Sequence, residues 1–396
     1  MKSTRQLVQR VLHNPKTEQR SFDQNAFAQR YPEFSPLDGK RHVYFVAPLL
    51  HPSGYYRMLL PAQELNKTTT HAAIVGQVHK WNFTRAYDDY DLGLNGTLVR
   101  WAHDVVLPAM TTDATYMVQL IRQANPKARI VMDIDFHYHA LPEFHPAYAR
   151  VSDQAKELVI DNLRMADLIT SPSHPLLDDY HQLLTARYKI EPNLAFLPNL
   201  LSECSYQDIP APRVSENEIV RIGILADATQ HQDIVSILPA LIHLQEKFGN
   251  EVEVILFGWN GKHLGENVLQ GIDLSYHKSV GILGFHKVLN AFGLDLALLP
   301  IEDHPFNTRK SFIKFLEFAA LGIPVIASDV PPYREVIFDG HNGLLASDLS
   351  QWKQKLDWMV GDSESRKTMG VLSREFAWRE LSYNQDAVEL LQSTYS

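Results

Sequence analysis

From residue 42 the chain alternates short runs of β-branched and apolar residues with longer amphipathic segments. This alternation is the mark of a parallel sheet covered by helices. In the first half the runs are HVYFVAPLL, HAAIVGQV, ARIVMDID, DLITSP and LAFLPN, separated by amphipathic stretches such as AYARVSDQAKELVIDNLRMA. A polar, proline-containing stretch, SECSYQDIPAPRVSENE, interrupts the series at residues 202–218 and reads as a linker. The series then resumes as IVRIGILAD, EVEVILFG, SVGILG, LDLALLP, IPVIAS and NGLLA. DIVSILPALIHLQEKFG reads as one helix, with Asp233 near its N-cap and Gly249 just past its end. The expectation is an α/β chain of two Rossmann-like, doubly wound domains facing a cleft. It divides into a helical extension over 1–41, a first domain over 42–204, a second over 218–380 and a final helix over 381–396. Trp352 to Met359 and that helix are expected to close the second domain or cross back to the first. Ligands of open α/β sheets bind beyond the carboxyl ends of the strands, which places the site in the cleft.

Composition narrows the class. A chain of 396 residues with 45% hydrophobic content is long enough for two cores. The net charge of -9 argues against a broad basic face that wraps nucleic acid. One cysteine, Cys204, leaves no internal disulfide and too few thiols for a cysteine-based zinc site, so a reducing, cytoplasmic setting is the expectation. No apolar run reaches the length of a spanning helix. STRQLVQRVLHN lacks the continuous apolar centre of a signal peptide, because Arg5, Gln9 and Arg10 interrupt it. Leu7, Val8, Val11 and Leu12 share one helical face in a stretch carrying eight Lys or Arg against four Asp or Glu over residues 1–41. A helix docked on the first domain and a helix lying on the inner face of a membrane both fit that pattern.

Chemistry concentrates in LDLALLPIEDHPFNTRKSFIKFLEFAALGIPVIAS. A buried strand ends at Pro300, a polar loop follows, and a helix is expected from about Ser311 to Leu321, with Gly322 at the left-handed position past its end. Arg309, Lys310 and Lys314 crowd its start, and Lys310 and Lys314 lie four apart, as two groups on one helical face would. A diphosphate fits such a cationic helix start. Glu317, with Phe315, Leu316 and Phe318 around it, is an acid in an apolar setting, which calls for a hydrogen-bond duty.

In this segment the sequence resembles the retaining, nucleotide-sugar-dependent glycosyltransferases of the GT-B fold, in the branch with a Glu-x7-Glu motif. LDLALLP, KFLEFAALGIPVIASDV and REVIFDGHNGLL stand in family order across residues 294–345. RMADLITSPSHPLLDDY and LAFLPNLLSE extend the family resemblance into the first domain, and PFNTRKSFIKFLE and SGYYR resemble segments of bacterial enzymes of surface polysaccharide assembly. The resemblance implies metal-independent transfer of a sugar from a nucleoside diphosphate to a hydroxyl acceptor, a glycan or glycoconjugate, with retention and without a cofactor. It assigns Glu317 to the ribose hydroxyls of the donor. The first Glu of the motif is replaced by Arg309, and the Arg and Lys that grip the diphosphate after the first strand of the second domain are replaced in ILADATQHQDI. Lys310, with Arg309 or Lys314, is expected to supply the missing cation. Asn307, Ser311, Thr229, His231 and Asp233 are expected to complete the donor pocket, with Lys310, His231 and Arg57 as the candidate catalytic groups.

The first-domain loop HPSGYYRMLL offers Gly54, where backbone can approach a ligand, and Tyr55 and Tyr56, which suit stacking on a sugar ring or plain packing. Asp135 and His137 in MDIDFHYHALPEFHP lie past a strand that faces the cleft and are candidates for acceptor contact. The same segment holds a DxD and the histidines His139 and His145, but no common metal-ligand spacing. The loop FGWNGKHLG, with Gly258 and Gly261, is a weak signal on its own. Other readings stay open: a sugar-nucleotide epimerase on the same fold, a catalytically silent subunit that binds a glycan or a partner enzyme, and a DNA-glycosylating variant that the net charge disfavours. Nucleotide base, sugar, acceptor, linkage and oligomeric state are not written in the residues.

Overall fold

The computed structural model describes residues 39–396 except 48–50, 78–89, 92–93, 112–113, 146–147, 149–150, 208, 210–218, 226–229, 259–271 and 273. The expected N-terminal helix, Thr229, Gly261 and the middle of the linker lie outside the described residues.

The first sheet is built from β1 (Arg41–Ala47), β2 (His71–Gln77), β5 (Asp104–Pro108), β6 (Arg129–Asp133), β7 (Leu168–Ser171) and β8 (Leu194–Phe196). A short hairpin, β3 (Tyr90–Asp91) and β4 (Leu94–Asn95), stands apart. The second sheet contains β9 (Val220–Leu225), β10 (Val252–Gly258), β11 (Leu274–Lys278), β12 (Leu296–Leu299), β13 (Val325–Ser328) and β14 (Leu344–Ala346). Both six-stranded sheets pair in parallel throughout, in the orders β2-β1-β5-β6-β7-β8 and β11-β10-β9-β12-β13-β14. In the second sheet the strand order reverses between β9 and β12, and it is beyond the carboxyl ends of the strands at such a reversal that open α/β sheets bind ligands.

Central strands are buried on both faces, as parallel sheets require: every residue of β7, β12 and β13 is buried. Helices supply the covering layers. They include α1 (residues 52–66), α2 (Asp153–Arg164), α3 (His174–Tyr188), α4 (His231–Ser236), α5 (Leu238–Phe248), α6 (Ile282–Ala291), α7 (Pro305–Thr308), α8 (Ile313–Ala319), α9 (Ser363–Glu380) and α10 (Gln385–Thr394). Ser152 caps α2 by accepting from the Ala155 amide, and Ser173 caps α3 through the Leu176 amide. Gly322 takes φ +70° just past α8, and α9 crosses that turn so closely that a Cβ on Gly370 would lie 2.2 Å from the Gly322 carbonyl oxygen.

The pattern and the structure differ in three places. β5 is a sixth strand of the first sheet that the series of apolar runs omits; its apolar stretch is only Val105, Val106 and Leu107. SVGILG is not a strand: Ile282 opens α6, and the strand before it is LSYHK, an edge strand whose half-exposed polar face hides the apolar signal. The helix expected from Asp233 to Phe248 breaks at Ile237, because Pro239 cannot donate into a continuous ladder and instead sits in the first turn of α5.

The two domains join at parallel crossings. The Leu201 amide donates to the Leu381 carbonyl and the Tyr383 amide to the Leu201 carbonyl. Trp352, Leu356 and Met359 pack in the second domain's core. α10 lies on the first domain: Leu391 and Tyr395 share a cluster with Val43 and Phe45, and Arg129 donates to the Thr394 carbonyl at 2.7 Å. Among the described residues no helix is long and apolar enough to cross a membrane.

Candidate functional site

Beyond the carboxyl ends of β9 and β12, two lysines converge from different elements. Lys314, in α8, donates from Nζ to the carbonyl of Leu225, the last residue of β9, at 2.7 Å. Lys310, in the turn before α8, donates to Asn307 Oδ1 at 2.7 Å and lies 4.4 Å above the Phe306 ring. The expectation of one helical face is corrected: α8 begins only at Ile313, so the pair meets in space rather than along a helix. With seven residues and no side-chain cap, α8 offers little dipole, and anion binding falls to the side chains. Asp233 is not an N-cap; Gln230 holds that position. The Asp233 carboxylate accepts from the Glu302 amide at 2.9 Å and from Asn307 Nδ2 at 3.0 Å, bracing the loop that presents Lys310. Burial raises its pKa, while those hydrogen bonds and the two lysines oppose the rise.

Glu317 is 5% exposed, and burial pushes its pKa up to about 7 against the lowering influence of Lys314 and of a hydrogen bond from Tyr56. The Tyr56 hydroxyl, from α1 of the first domain, lies 3.3 Å from Glu317 Oε1 and 3.3 Å from His286 Nε2. Burial lowers the His286 pKa to about 4, so the ring is neutral and can donate to the phenol while the phenol donates to Glu317. Tyr55 hydrogen-bonds Ser205 Oγ at 2.6 Å, and the two tyrosine rings pack edge to face, 5.1 Å apart. Open stacking platforms for an acceptor sugar are therefore not what Tyr55 and Tyr56 form. Both are buried in an apolar cluster dominated by second-domain residues, and Gly54 is buried beside them.

Arg57 lies in a π-helical turn, Tyr55–Leu59, and its side chain is 1% exposed. It donates to Asp133 at 2.7–3.2 Å, to the Leu197 carbonyl and to Asn199 Oδ1 at 3.1 Å. Thr170 completes the Asp133 shell at 2.6 Å. These contacts make Arg57 a brace inside the first domain, a correction to its expected place among the groups that touch substrate. Asn199 passes the brace on, donating from Nδ2 to Ser311 Oγ at 2.8 Å in the second domain. Ser311 thus stands at the domain junction. Asp135 is raised by burial and by Asp133, and a hydrogen bond from Ser53 opposes this.

Arg309 reaches across the cleft. Its Nε donates to Asp179 Oδ2 at 2.7 Å and its Nη2 to Oδ1 at 3.4 Å, while Asp179 Oδ2 also lies 3.0 Å from His137 Nε2. Beside this bridge Phe136 packs on Phe306 at 4.6 Å and Phe144 lies 6.2 Å from His231. Arg309 of the expected donor set and His137 of the expected acceptor set therefore meet through Asp179, and Arg309 is spent on an ion pair between domains. Asp179 and His286 escaped the sequence reading, and Asn199 entered it only within LAFLPNLLSE, without a partner. Asp179 and His286 sit on helices with no local motif, and their partners Arg309 and Tyr56 lie 130 and 230 positions away. Among the described residues no group of three or more His, Cys, Asp or Glu is arranged to hold a metal ion.

Comparison with known proteins adds to this geometry. Residues 216–362 match the family model described as glycosyl transferases group 1. No curated protein matches the sequence significantly. Among solved structures, HepE of Anabaena in complex with UDP-glucose superposes with a TM-score of 0.59 at 14% identity, over 89% of this chain and 98% of that one. Sucrose-phosphate synthase of Thermosynechococcus elongatus gives 0.63 at 12% identity, over 89% and 98%. An alpha-glucosyltransferase in complex with UDP-glucose and abasic-site DNA gives 0.62 at 12% identity, over 90% and 99%. At such identities the likeness carries the fold. The chain has the GT-B fold of two Rossmann-like domains, and its second domain matches the glycosyl transferases group 1 family.

Proposed function

We propose that the protein transfers a sugar from a nucleoside-diphosphate donor to a hydroxyl of a glycan or glycoconjugate, without a metal and with retention at the anomeric carbon. The observation that carries this reading is that Lys314, bonded to the last carbonyl of β9 where the strand order reverses, and Lys310 both act on the buried Asp233, with Lys314 also beside the buried acid Glu317. In the reaction the anomeric carbon exchanges its bond to the β-phosphate oxygen for a bond to the acceptor oxygen. The electron pair leaves with the diphosphate, whose departing phosphate oxygen is suited to take the acceptor proton. Lys310 and Lys314 are suited to neutralise the charge that grows on the leaving diphosphate. Glu317 is suited to accept from the ribose hydroxyls, and the donor then displaces the Tyr56 phenol from it. His231 is suited to border the same mouth, and Asp135 and His137 are suited to border the acceptor side. Retention and the ribose role rest on the resemblance to the Glu-x7-Glu branch. An exposed free cysteine, Cys204, suits a reducing, cytoplasmic setting.

Lys310→Ala should lower nucleoside-diphosphate release from the sugar donor roughly a hundredfold, the usual cost of losing one preorganised electrostatic contact. An unchanged rate would remove Lys310 from the mechanism. A second reading, a catalytically silent glycan-binding or partner subunit, is favoured by one observation: Tyr56 already holds Glu317. Such a subunit would bind no nucleoside diphosphate.

A further inference from the structure

His137 is 8% exposed, its Nε2 faces Asp179 at 3.0 Å, and its Nδ1 is buried with no hydrogen-bond partner beyond the residue's own backbone among the described residues. A buried ring nitrogen left in that state asks for a reason. The same Asp179 carboxylate is held from the other side by Arg309 of the second domain. We propose that Asp179 is a positioning residue: gripped by Arg309 when the domains close, it fixes the His137 ring by Nε2 so that Nδ1 accepts a hydrogen bond from a substrate hydroxyl. The nature of that hydroxyl rests on the sugar-transfer reading; the positioning does not.

The chemistry of the group is consistent in each part. A histidine that donates from Nε2 to a carboxylate carries its lone pair on Nδ1, the tautomer that can accept from a sugar hydroxyl. That function requires a neutral ring. Burial lowers the His137 pKa first; Asp179 opposes this, and Arg309 again favours the neutral form. His139 and Tyr180 are the other titratable rings packed nearby, at 6.4 and 5.6 Å, and burial holds both in their neutral forms. Arg309 therefore has two effects through one carboxylate: it ties the domains, and it keeps Asp179 from drawing a second proton onto His137. A cation at this position suits the arrangement and an acid does not, since an acid facing Asp179 would repel it.

The test uses the full chain and two readouts. The first is side-chain 15N NMR of histidine-labelled protein, with His137→Gln to assign the signal. We expect wild-type His137 in a single tautomer with the proton on Nε2, and a mixture of tautomers in Asp179→Ala. The second is UDP release from UDP-glucose with water as acceptor. Asp179→Ala should lower kcat about tenfold or more with little change in KM, as loss of an orienting partner does. Asp179→Glu should recover part of it. The exchanged pair Asp179→Arg with Arg309→Asp restores attraction between the domains but offers His137 no acceptor. It should regain thermal stability lost in either single variant and regain neither turnover nor the tautomer. If the exchanged pair recovers turnover, or if Asp179→Ala leaves the His137 tautomer unchanged, the inference is overturned. A wild type that releases no UDP from UDP-glucose, with the tautomer still dependent on Asp179, instead counts against UDP-glucose as donor and leaves the positioning standing.

Discussion

A carboxyl group with a pKa near 7 changes charge around neutrality, and Glu317 is such a group. Its native pKa lies above the ordinary 4.5, so the folded state holds the proton more tightly than the unfolded chain. The resulting stabilisation is complete below about pH 4.5 and is lost as pH rises through about 7, a contribution on the order of 3 kcal/mol at most. Denaturant unfolding should show this loss on going from mildly acid to mildly alkaline buffer, and Glu317→Gln should flatten it. Binding works in the opposite sense. Ribose hydroxyls donate to the carboxylate and favour its ionised form, so nucleotide affinity should rise through the same range in wild type and not in Glu317→Gln, measured by calorimetry at several pH values. The acid's apolar setting was legible in Phe315, Leu316 and Phe318, its neighbours in the chain. Its partner Tyr56 was not, because the contact spans 261 positions and no local pattern encodes it.

At the scale of elements, the π-helical turn that carries Arg57 matters most. The extra residue in that turn belongs to the stretch that puts Tyr55 and Tyr56 against the second domain and Arg57 inside the first. A buried guanidinium with a full set of partners is expensive to break from one side, since the remaining carboxylate stays in place without its charge partner. Arg57→Ala should destabilise the protein by about 3–5 kcal/mol, and Arg57→Lys should recover little, because an ammonium cannot make the forked contact with Asp133. Equilibrium unfolding of both variants checks this; two variants of near wild-type stability would contradict it. The central strands were readable because parallel sheets bury continuous apolar runs. β11 was displaced by a few residues because an edge strand of Leu, Ser, Tyr, His and Lys carries no such run. The break at Ile237 could have been foreseen from Pro239, whose missing amide proton interrupts a helix.

In the whole molecule the two sheets are held by more than the chain that links them. α10 returns to the first domain, where Tyr395 packs against Phe45 with ring centroids 5.5 Å apart and its carbonyl lies 3.1 Å from His71 Nε2. Removing residues 385–396 would expose Phe45 and Val43 and should lower the melting temperature while leaving the second domain's core untouched. The doubled α/β pattern was legible from the alternation of runs. Contacts across the cleft, Arg309 to Asp179 and Tyr56 to Glu317, belong to how two sheets meet and had no counterpart in sequence spacing. The central claim is a nucleoside-diphosphate site at the switch point of the second sheet. It is tested most directly by calorimetric titration of UDP, GDP, dTDP, ADP and CMP into the wild type and into Glu317→Ala. We predict that one diphosphate binds selectively and that the substitution weakens it about tenfold or more, the loss of a charged hydrogen-bond partner. Absence of binding by every nucleotide, or equal binding to both proteins, would contradict the account.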